Sequence, residues 1–265
     1  MHPLLFQLGP IPIHTYGFLI AIGFLVAVGV IRRLAERSKL DSNQVLDLVF
    51  WTMLVGFAGA RTLFIITRFE YFMSDPLSMI KVWEGGLVFF GGPLAAIPFV
   101  IWYTKKHKLP LWSVMDCMVP GLAIAHVFGR FGCVAAGCCY GRPTGGNWGI
   151  KLDSPLVDTA YRNVYLHPVQ LYESGAVFVL FLGLLWIFRR KRFDGQVVLT
   201  YFMAYPIIRS ITETFRGDLI RGFVIEDVLS TSQFISLMLF VAAGAVLAWR
   251  LQQLKQLKQL KNRHA

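Results

Sequence analysis

Apolar residues fill seven long runs of this chain, and polar residues gather in the short stretches between them. The runs lie near 16–33, 44–66, 87–104, 114–136, 170–188, 196–214 and 232–250. Each approaches the roughly 20 apolar residues that a helix needs to cross bilayer hydrocarbon. A helix is the form such a run takes there, because in hydrocarbon every backbone N–H and C=O must be paired within the protein. The pattern predicts an all-α integral membrane protein of about seven transmembrane helices.

The basic residues give this reading a direction. Arg32, Arg33, Arg37 and Lys39 follow the first run, Lys105, Lys106 and Lys108 the third, and Arg189, Arg190, Lys191 and Arg192 the fifth. Arg250, Lys255, Lys258, Lys261 and Arg263 follow the seventh. The alternate loops carry only Arg68 and Lys81, then Arg142, Lys151 and Arg162, then Arg216 and Arg221. Cytoplasmic loops hold the excess of Lys and Arg, so the N-terminus is expected outside and the C-terminus in the cytoplasm. The first run lacks a basic segment before it and a small-residue cleavage pattern after it, and is expected to be retained as a span.

Residues 1–250 thus read as one polytopic transmembrane domain, with no internal repeat at a fixed period. The stretch 137–168 has no long apolar run and contains the turn-forming Pro143-Thr144-Gly145-Gly146-Asn147. It is expected to form a small extracytoplasmic head. Residues 251–265 read as a basic cytoplasmic tail, with Leu251, Leu254, Leu257 and Leu260 alternating with Lys. That spacing suits either a helix at the anionic inner leaflet or a solvated, frayed one.

Composition agrees and narrows the function classes. Hydrophobic residues make up 55% of the 265 residues and charged ones 15%, against about 25% charged in soluble domains. The net charge of +11 could suggest a nucleic-acid partner, but the cations sit in blocks between apolar runs and form no aromatic-interleaved surface. No nucleic-acid partner is expected. Four cysteines are too few for a disulfide framework, and Cys133, Cys138 and Cys139 lack the paired C-x-x-C units of a zinc site. The sequence carries no nucleotide, haem or metal motif, so no cofactor is expected.

Charges inside the runs are the most informative residues, since an ionised group in hydrocarbon needs a partner or a wet cavity. Arg61, Arg130, Arg209 and Glu213 qualify. Arg130 lies in Gly129-Arg130-Phe131-Gly132-Cys133, where the glycines allow a polar headgroup close to the backbone; a snorkelling anchor is the plainer alternative. Arg209 and Glu213 are four residues apart and share a helix face with Tyr205, an arrangement that an internal ion pair would also explain. Arginine suits a phosphate because its planar fork donates two charge-assisted hydrogen bonds and stays charged when desolvated. Intramembrane arginines therefore point to a phospholipid headgroup.

Three histidines bear on proton transfer. His126, inside the fourth run, reads as a core histidine bonded to a neighbouring helix. His14, beside Tyr16 before the first run, is the better proton acceptor, and His167 precedes the fifth run. The segment Trp83-Glu84-Gly85-Gly86-Leu87-Val88-Phe89-Phe90-Gly91-Gly92 brackets an apolar stretch with glycine pairs, as a loop entering the membrane or a tight helix contact would require.

These residues resemble the bacterial prolipoprotein diacylglyceryl transferases over nearly the whole chain. Gly9-Pro10-Ile11-Pro12-Ile13-His14-Thr15-Tyr16-Gly17 is similar to the family's opening, and Gly59-Ala60-Arg61 to its Gly-Gly-Arg. Asp75-Pro76-Leu77 with Val82-Trp83-Glu84-Gly85-Gly86 resembles the next external loop, and His167-Pro168-Val169-Gln170-Leu171-Tyr172-Glu173 a further signature. Gly129 to Thr144 is similar to the diagnostic Gly-Arg-x-Gly-Asn-x-x-Asn-x-Glu-x-x-Gly-Arg, with Arg130, Gly141 and Arg142 matching. Tyr205 to Arg216 resembles the sixth-span motif, including a second essential arginine at Arg209. Cys133, Ala136 and Cys138 replace two Asn and a Glu of the signature, and Phe90 replaces a His.

The resemblance implies a bacterial cytoplasmic (inner) membrane enzyme that moves the diacylglyceryl group of phosphatidylglycerol to the lipobox cysteine thiol of preprolipoprotein signal peptides. A thioether forms and glycerol phosphate leaves. Arg130 and Arg209 are then expected to grip the headgroup, with Tyr16, Arg61, Gly141 and Arg142 completing the lipid site. Tyr205 and Glu213 would position the arginines, and His167, Gln170, Tyr172 and Glu173 would support them. Phe90 cannot take a proton, so His14 is the expected acceptor. The rival readings are a lipid transporter or flippase, a paralogue with another acceptor, and a membrane thiol oxidoreductase using the cysteines.

Overall fold

The computed structural model describes residues 4–8, 11–81, 85–154, 156–217, 222–225 and 228–263. Gly9, Pro10, Val82, Trp83, Glu84 and Arg221, which entered the sequence argument, lie outside the described residues. The protein is mostly helical, and each apolar run forms one helix. These are α1 (Thr15–Arg37), α2 (Ser42–Thr67), α4 (Gly91–Lys106), α5 (Leu111–Ala136), α6 (Val169–Arg190), α7 (Gln196–Glu213) and α8 (Thr231–Arg263). A short α3 (Phe69–Ser74) and a 3-10 turn (Pro76–Met79) follow α2.

Five of these helices, α1, α2, α5, α6 and α8 as far as Gln256, are long and apolar enough to cross a membrane. The other two fall short for separate reasons. α4 has 16 residues and, at about 1.5 Å per residue, is shorter than the roughly 30 Å of hydrocarbon. It begins later than its apolar run because Leu87–Phe90 is not helical. α7 is diluted by Tyr201, Tyr205, Arg209 and Glu213, the polar residues of the site described below.

The fold is not purely helical. β1 (Leu4–Leu8) pairs antiparallel with β2 (Ile11–His14), with Gln7 opposite Pro12, and a second small pair joins β3 (Phe223–Ile225) to β4 (Leu229–Ser230). Both pairs stand immediately before helices.

Two compact units divide the chain, one of residues 1–30 with 119–265 and one of residues 31–118, with the divisions inside α1 and α5. In the smaller unit, α1 ends where Lys39 turns left-handed at φ 57 and the Leu40 N–H returns to the Ala35 carbonyl at 3.0 Å. That wrap satisfies a carbonyl the helix end would leave open. α2 starts at once, because the Asp41 carboxylate accepts from the Asn43 and Gln44 N–H groups at 2.9 and 3.3 Å. α2 and α4 then approach backbone to backbone at Gly59 and Gly91, where a methyl on either would strike the other helix. This gives the second glycine pair of the 83–92 segment its use in tight helix packing.

In the larger unit α6, α7 and α8 pack in sequence. Residues 137–168 form a folded segment with its own core of Tyr140, Leu152, Val157 and Leu166, against which Ile150 and Tyr161 pack. Leu166 bridges both Pro143 and Ile150, so single apolar residues between turns do here what no continuous run could do.

Candidate functional site

Glu173 is the centre of the site. It sits in the second turn of α6, and its side chain is 1% exposed. A carboxylate buried to that degree costs several kcal/mol unless paired, and this one is held by three side chains from the two helices α5 and α7. Arg130 of α5 donates from Nη2 to Oε1 at 2.7 Å. Arg209 of α7 lies with Nη1 3.4 Å from Oε2, and the Tyr205 hydroxyl donates to Oε1 at 3.2 Å.

A second layer orients both arginines. Arg130 Nε donates to His126 Nε2 at 3.1 Å, one turn earlier on α5. The same His126 nitrogen is 3.4 Å from Glu173 Oε1. One ring nitrogen cannot accept from the guanidinium and donate to the carboxylate at once; the shorter contact favours acceptance, with the proton on Nδ1. His126 thus meets Arg130 within its own helix and, as expected of a core histidine, also the neighbouring helices through Glu173 and Tyr205. Arg209 Nη2 meets Glu213 Oε2 at 2.7 Å and donates to Ser232 Oγ of α8 at 3.1 Å. Tyr205 packs edge-on to His126 and stacks on Tyr201.

Counting donors separates the arginines by what they have left to give. A guanidinium carries five N–H donors. Among the described residues, Arg130 commits Nε and one Nη2 hydrogen, which leaves its Nη1 end for an incoming anion. Arg209 keeps Nε and one Nη1 hydrogen. The two side chains remain 15% and 10% exposed.

Arg61 differs. Its Nε donates to the Met79 carbonyl at 3.1 Å, Nη1 to Gly85 and Gly86 at 2.6 and 2.9 Å, and Nη2 to Ser78 and Lys81 at 2.7 and 3.4 Å. Phe64 and Phe72 lie 5.5 Å from its guanidinium carbon. All five donors are spent on backbone. Arg61 thus staples Ser78, Met79, Lys81, Gly85 and Gly86, within the smaller unit, and among the described residues no donor of its guanidinium is left over for a headgroup.

Gly141, Arg142 and His167 belong to a backbone mesh at the base of the folded segment. The Gly141 N–H donates to the His167 carbonyl at 3.1 Å, His167 N–H to Arg142 at 3.0 Å, Arg142 N–H to Phe215 at 2.9 Å and Gly217 N–H to Tyr140 at 3.1 Å. Position 141 requires glycine, because a methyl there would strike the His167 carbonyl and the Val169 side chain. Arg142 is exposed and its guanidinium lies over Phe215 at 5.9 Å. Tyr172 supports His167, its hydroxyl 3.4 Å from Nδ1. Gln170, fully buried, donates to the Cys138 carbonyl at 2.8 Å.

Tyr16 packs its ring against Gly132, two residues beyond Arg130. His14 is exposed at the end of β2, and among the described residues no hydrogen bond joins it to the cluster. Phe90 is exposed just before α4.

The structure adds a grouping the spacing did not show. The sulfurs of Cys133, Cys138 and Cys139 all lie within 4.8 Å of one another, each half-buried and free. The neighbouring thiols of Cys133 and Cys138, with Arg216 and Arg130 nearby, hold the Cys139 thiol well below the usual range. The described cluster also takes in His126, Glu173 and Ser232, which the sequence does not single out as catalytic. For Glu173 the signal was present, an acid inside the apolar turns of a span, but it lies close to the start of its run. For Ser232 there was none.

The prolipoprotein diacylglyceryl transferase family model matches residues 3–249. The chain is similar to the phosphatidylglycerol–prolipoprotein diacylglyceryl transferase of Clostridium tetani, 35% identical over 242 residues that cover 91% of this chain and 94% of the relative. It is similar also to the phosphatidylglycerol–prolipoprotein diacylglyceryl transferase 2 of Clostridium perfringens, 32% identical and covering 96% and 97%. A third relative, from Finegoldia magna and of the same name, is 31% identical over 93% and 94%.

Proposed function

Because this chain belongs to the prolipoprotein diacylglyceryl transferase family, we propose that it carries the diacylglyceryl group of phosphatidylglycerol to the lipobox cysteine of preprolipoprotein signal peptides. It is an enzyme of lipoprotein biosynthesis, a transferase built from membrane helices. The observation that carries the site is the meeting of Arg130 and Arg209 on the two oxygens of Glu173.

In the reaction the acceptor sulfur attacks the glycerol carbon that bears the phosphate. A carbon–sulfur bond forms, the carbon–oxygen bond breaks, and glycerol phosphate departs with the electron pair. The phosphate gains a negative charge as it leaves, so donors aimed at it act mainly in the transition state. The free Nη1 end of Arg130 and the free donors of Arg209 are suited to that. Two cations, Arg130 and Arg209, stand against two anions, Glu173 and Glu213, so the resting site is balanced and Glu173 holds the two forks in place until the lipid arrives. Tyr205 and His126 fix the orientation. His14 takes the thiol proton, and Tyr16 borders the lipid.

The enzyme works in the bacterial cytoplasmic membrane. The basic blocks support seven crossings, with the N-terminus and residues 137–168 outside and the end of α8 in the cytoplasm. α4 and α7 complete their crossings through flanking residues. A flippase would need the same arginines without bond breaking. The deciding experiment incubates purified protein with phosphatidylglycerol and a lipobox peptide and follows peptide mass. A diacylglyceryl adduct on the cysteine, lost in both Arg130→Ala and Arg209→Ala, is expected. An adduct formed at the full rate by either variant refutes the site.

A further inference from the structure

The three-cysteine cluster lies beside Arg130 and is unused by the reaction as described. We infer that Cys133, Cys138 and Cys139 form a trithiolate site for a thiophilic divalent cation of the zinc type, whose open fourth position receives the acceptor thiol. The second half of this inference rests on the transferase reading above; the first half does not.

The geometry suits a metal better than a disulfide. Zinc–sulfur bonds of about 2.3 Å in a tetrahedron put the sulfurs about 3.8 Å apart. The three sulfurs already lie within 4.8 Å of one another, so closing on an ion takes about 1 Å of side-chain rotation. A disulfide could satisfy only two of the three.

The backbone presents them together. Cys133 ends the penultimate turn of α5, and the chain reverses at Gly137, whose N–H donates to the Cys133 carbonyl at 2.9 Å. The Cys138 N–H returns to the same carbonyl at 3.1 Å, and Gln170 holds the Cys138 carbonyl from α6. Cys139 sits left-handed at φ 59, a conformation that costs a non-glycine residue about 1–2 kcal/mol. Here it turns the third thiol toward the other two.

The described donor set numbers three, the arrangement in which zinc keeps one position for water or substrate. A thiol that binds there gives up its proton outright. That is the state the acceptor sulfur must reach before it attacks, with the released proton passing to His14 or water. Three thiolates and one divalent cation carry a net charge of about −1 before the substrate binds. Arg216 lies close enough to offset it.

The test uses the full-length protein in detergent, stripped with a chelator and titrated with cobalt(II). Thiolate-to-cobalt charge-transfer absorption that saturates at one ion per chain and is displaced by zinc is expected. Cys138→Ser should weaken binding at least tenfold. A folded wild-type protein with no such absorption overturns the site without recourse to any variant. Stripped protein that modifies a lipobox peptide as fast as zinc-loaded protein overturns the thiol-activating role and leaves the transferase reading standing. One-to-one binding with no thioether formed by either sample does the reverse: the metal site stands and the transferase reading falls.

Discussion

Arg130 and Glu173 are 43 residues apart in the chain and 2.7 Å apart in the fold, joined by a bond from guanidinium Nη2 to carboxylate Oε1. The pair is nearly sealed from solvent at Glu173 and partly open at Arg130. That asymmetry fits a device in which the acid stays put and the arginine turns its unused edge to a passing anion.

Removing the acid should therefore cost stability as well as turnover. Glu173→Ala leaves two buried guanidinium groups without their shared partner, and breaking a buried pair in this way costs about 3–5 kcal/mol. Glu173→Gln keeps the volume but not the charge, and should lie between Ala and wild type in thermal unfolding while losing most of the activity. Unfolding of the Ala variant at the wild-type temperature would show that Glu173 is not the anchor.

Lysine should not replace either arginine. A lysine is a point charge without the planar fork, and loss of one well-aimed donor to a developing anion costs a factor of about 10² to 10³ in turnover. Arg130→Lys and Arg209→Lys should each show a loss of that size in kcat, with membrane insertion and helix content unchanged. Full activity in either would reduce that arginine's role to its charge alone.

The sequence made the arginines legible because charge is so rare in a span that each instance demands a reason. The same logic made Tyr205, Arg209 and Glu213 legible as one face, and the i, i+4 pair is there at 2.7 Å. It says less about Arg61, which is as buried as a ligand-binding arginine would be. Nothing in the local sequence tells a guanidinium aimed at a lipid from one aimed at five carbonyls on a loop about 20 residues away. It says less also about the cysteines, whose spacing lacks a metal pattern; the reversal at Gly137 and the left-handed Cys139 bring them together. Periodicity reports faces of regular helices, and both of these depend on irregular backbone.

Among the described residues no hydrogen bond joins His14 to the cluster, so its assignment is open to a kinetic test. His14→Gln should lower kcat and change the shape of the pH–rate profile while leaving KM for phosphatidylglycerol near the wild-type value. A slower enzyme with an unaltered profile would assign the proton to another group.

Gly141→Ala should damage the site from a distance. The added methyl meets the His167 carbonyl and the Val169 side chain, and such overpacking costs about 1–3 kcal/mol. The mesh it forces apart ties the 137–168 segment to the start of α6, four residues before Glu173. Activity should fall with thermal stability, and hydrogen exchange should quicken at Gly141 and Arg142, whose amides donate across the mesh. Unchanged exchange at both amides would mean that the strand contacts absorb the methyl.

Arg61→Lys separates stapling from lipid binding. Arginine fills five carbonyls from one plane, whereas lysine has three donors on one nitrogen, so at least two acceptors lose their partner. At about 1–3 kcal/mol for each orphaned buried acceptor, and with water recovering part of that, the loss should be about 2–4 kcal/mol. It should appear locally, as faster protease cleavage between Ser78 and Gly86. KM for phosphatidylglycerol should stay within about twofold of wild type, since Arg61 holds no donor in reserve. A tenfold rise in KM with normal protease resistance would return Arg61 to the lipid site and overturn its role as a staple.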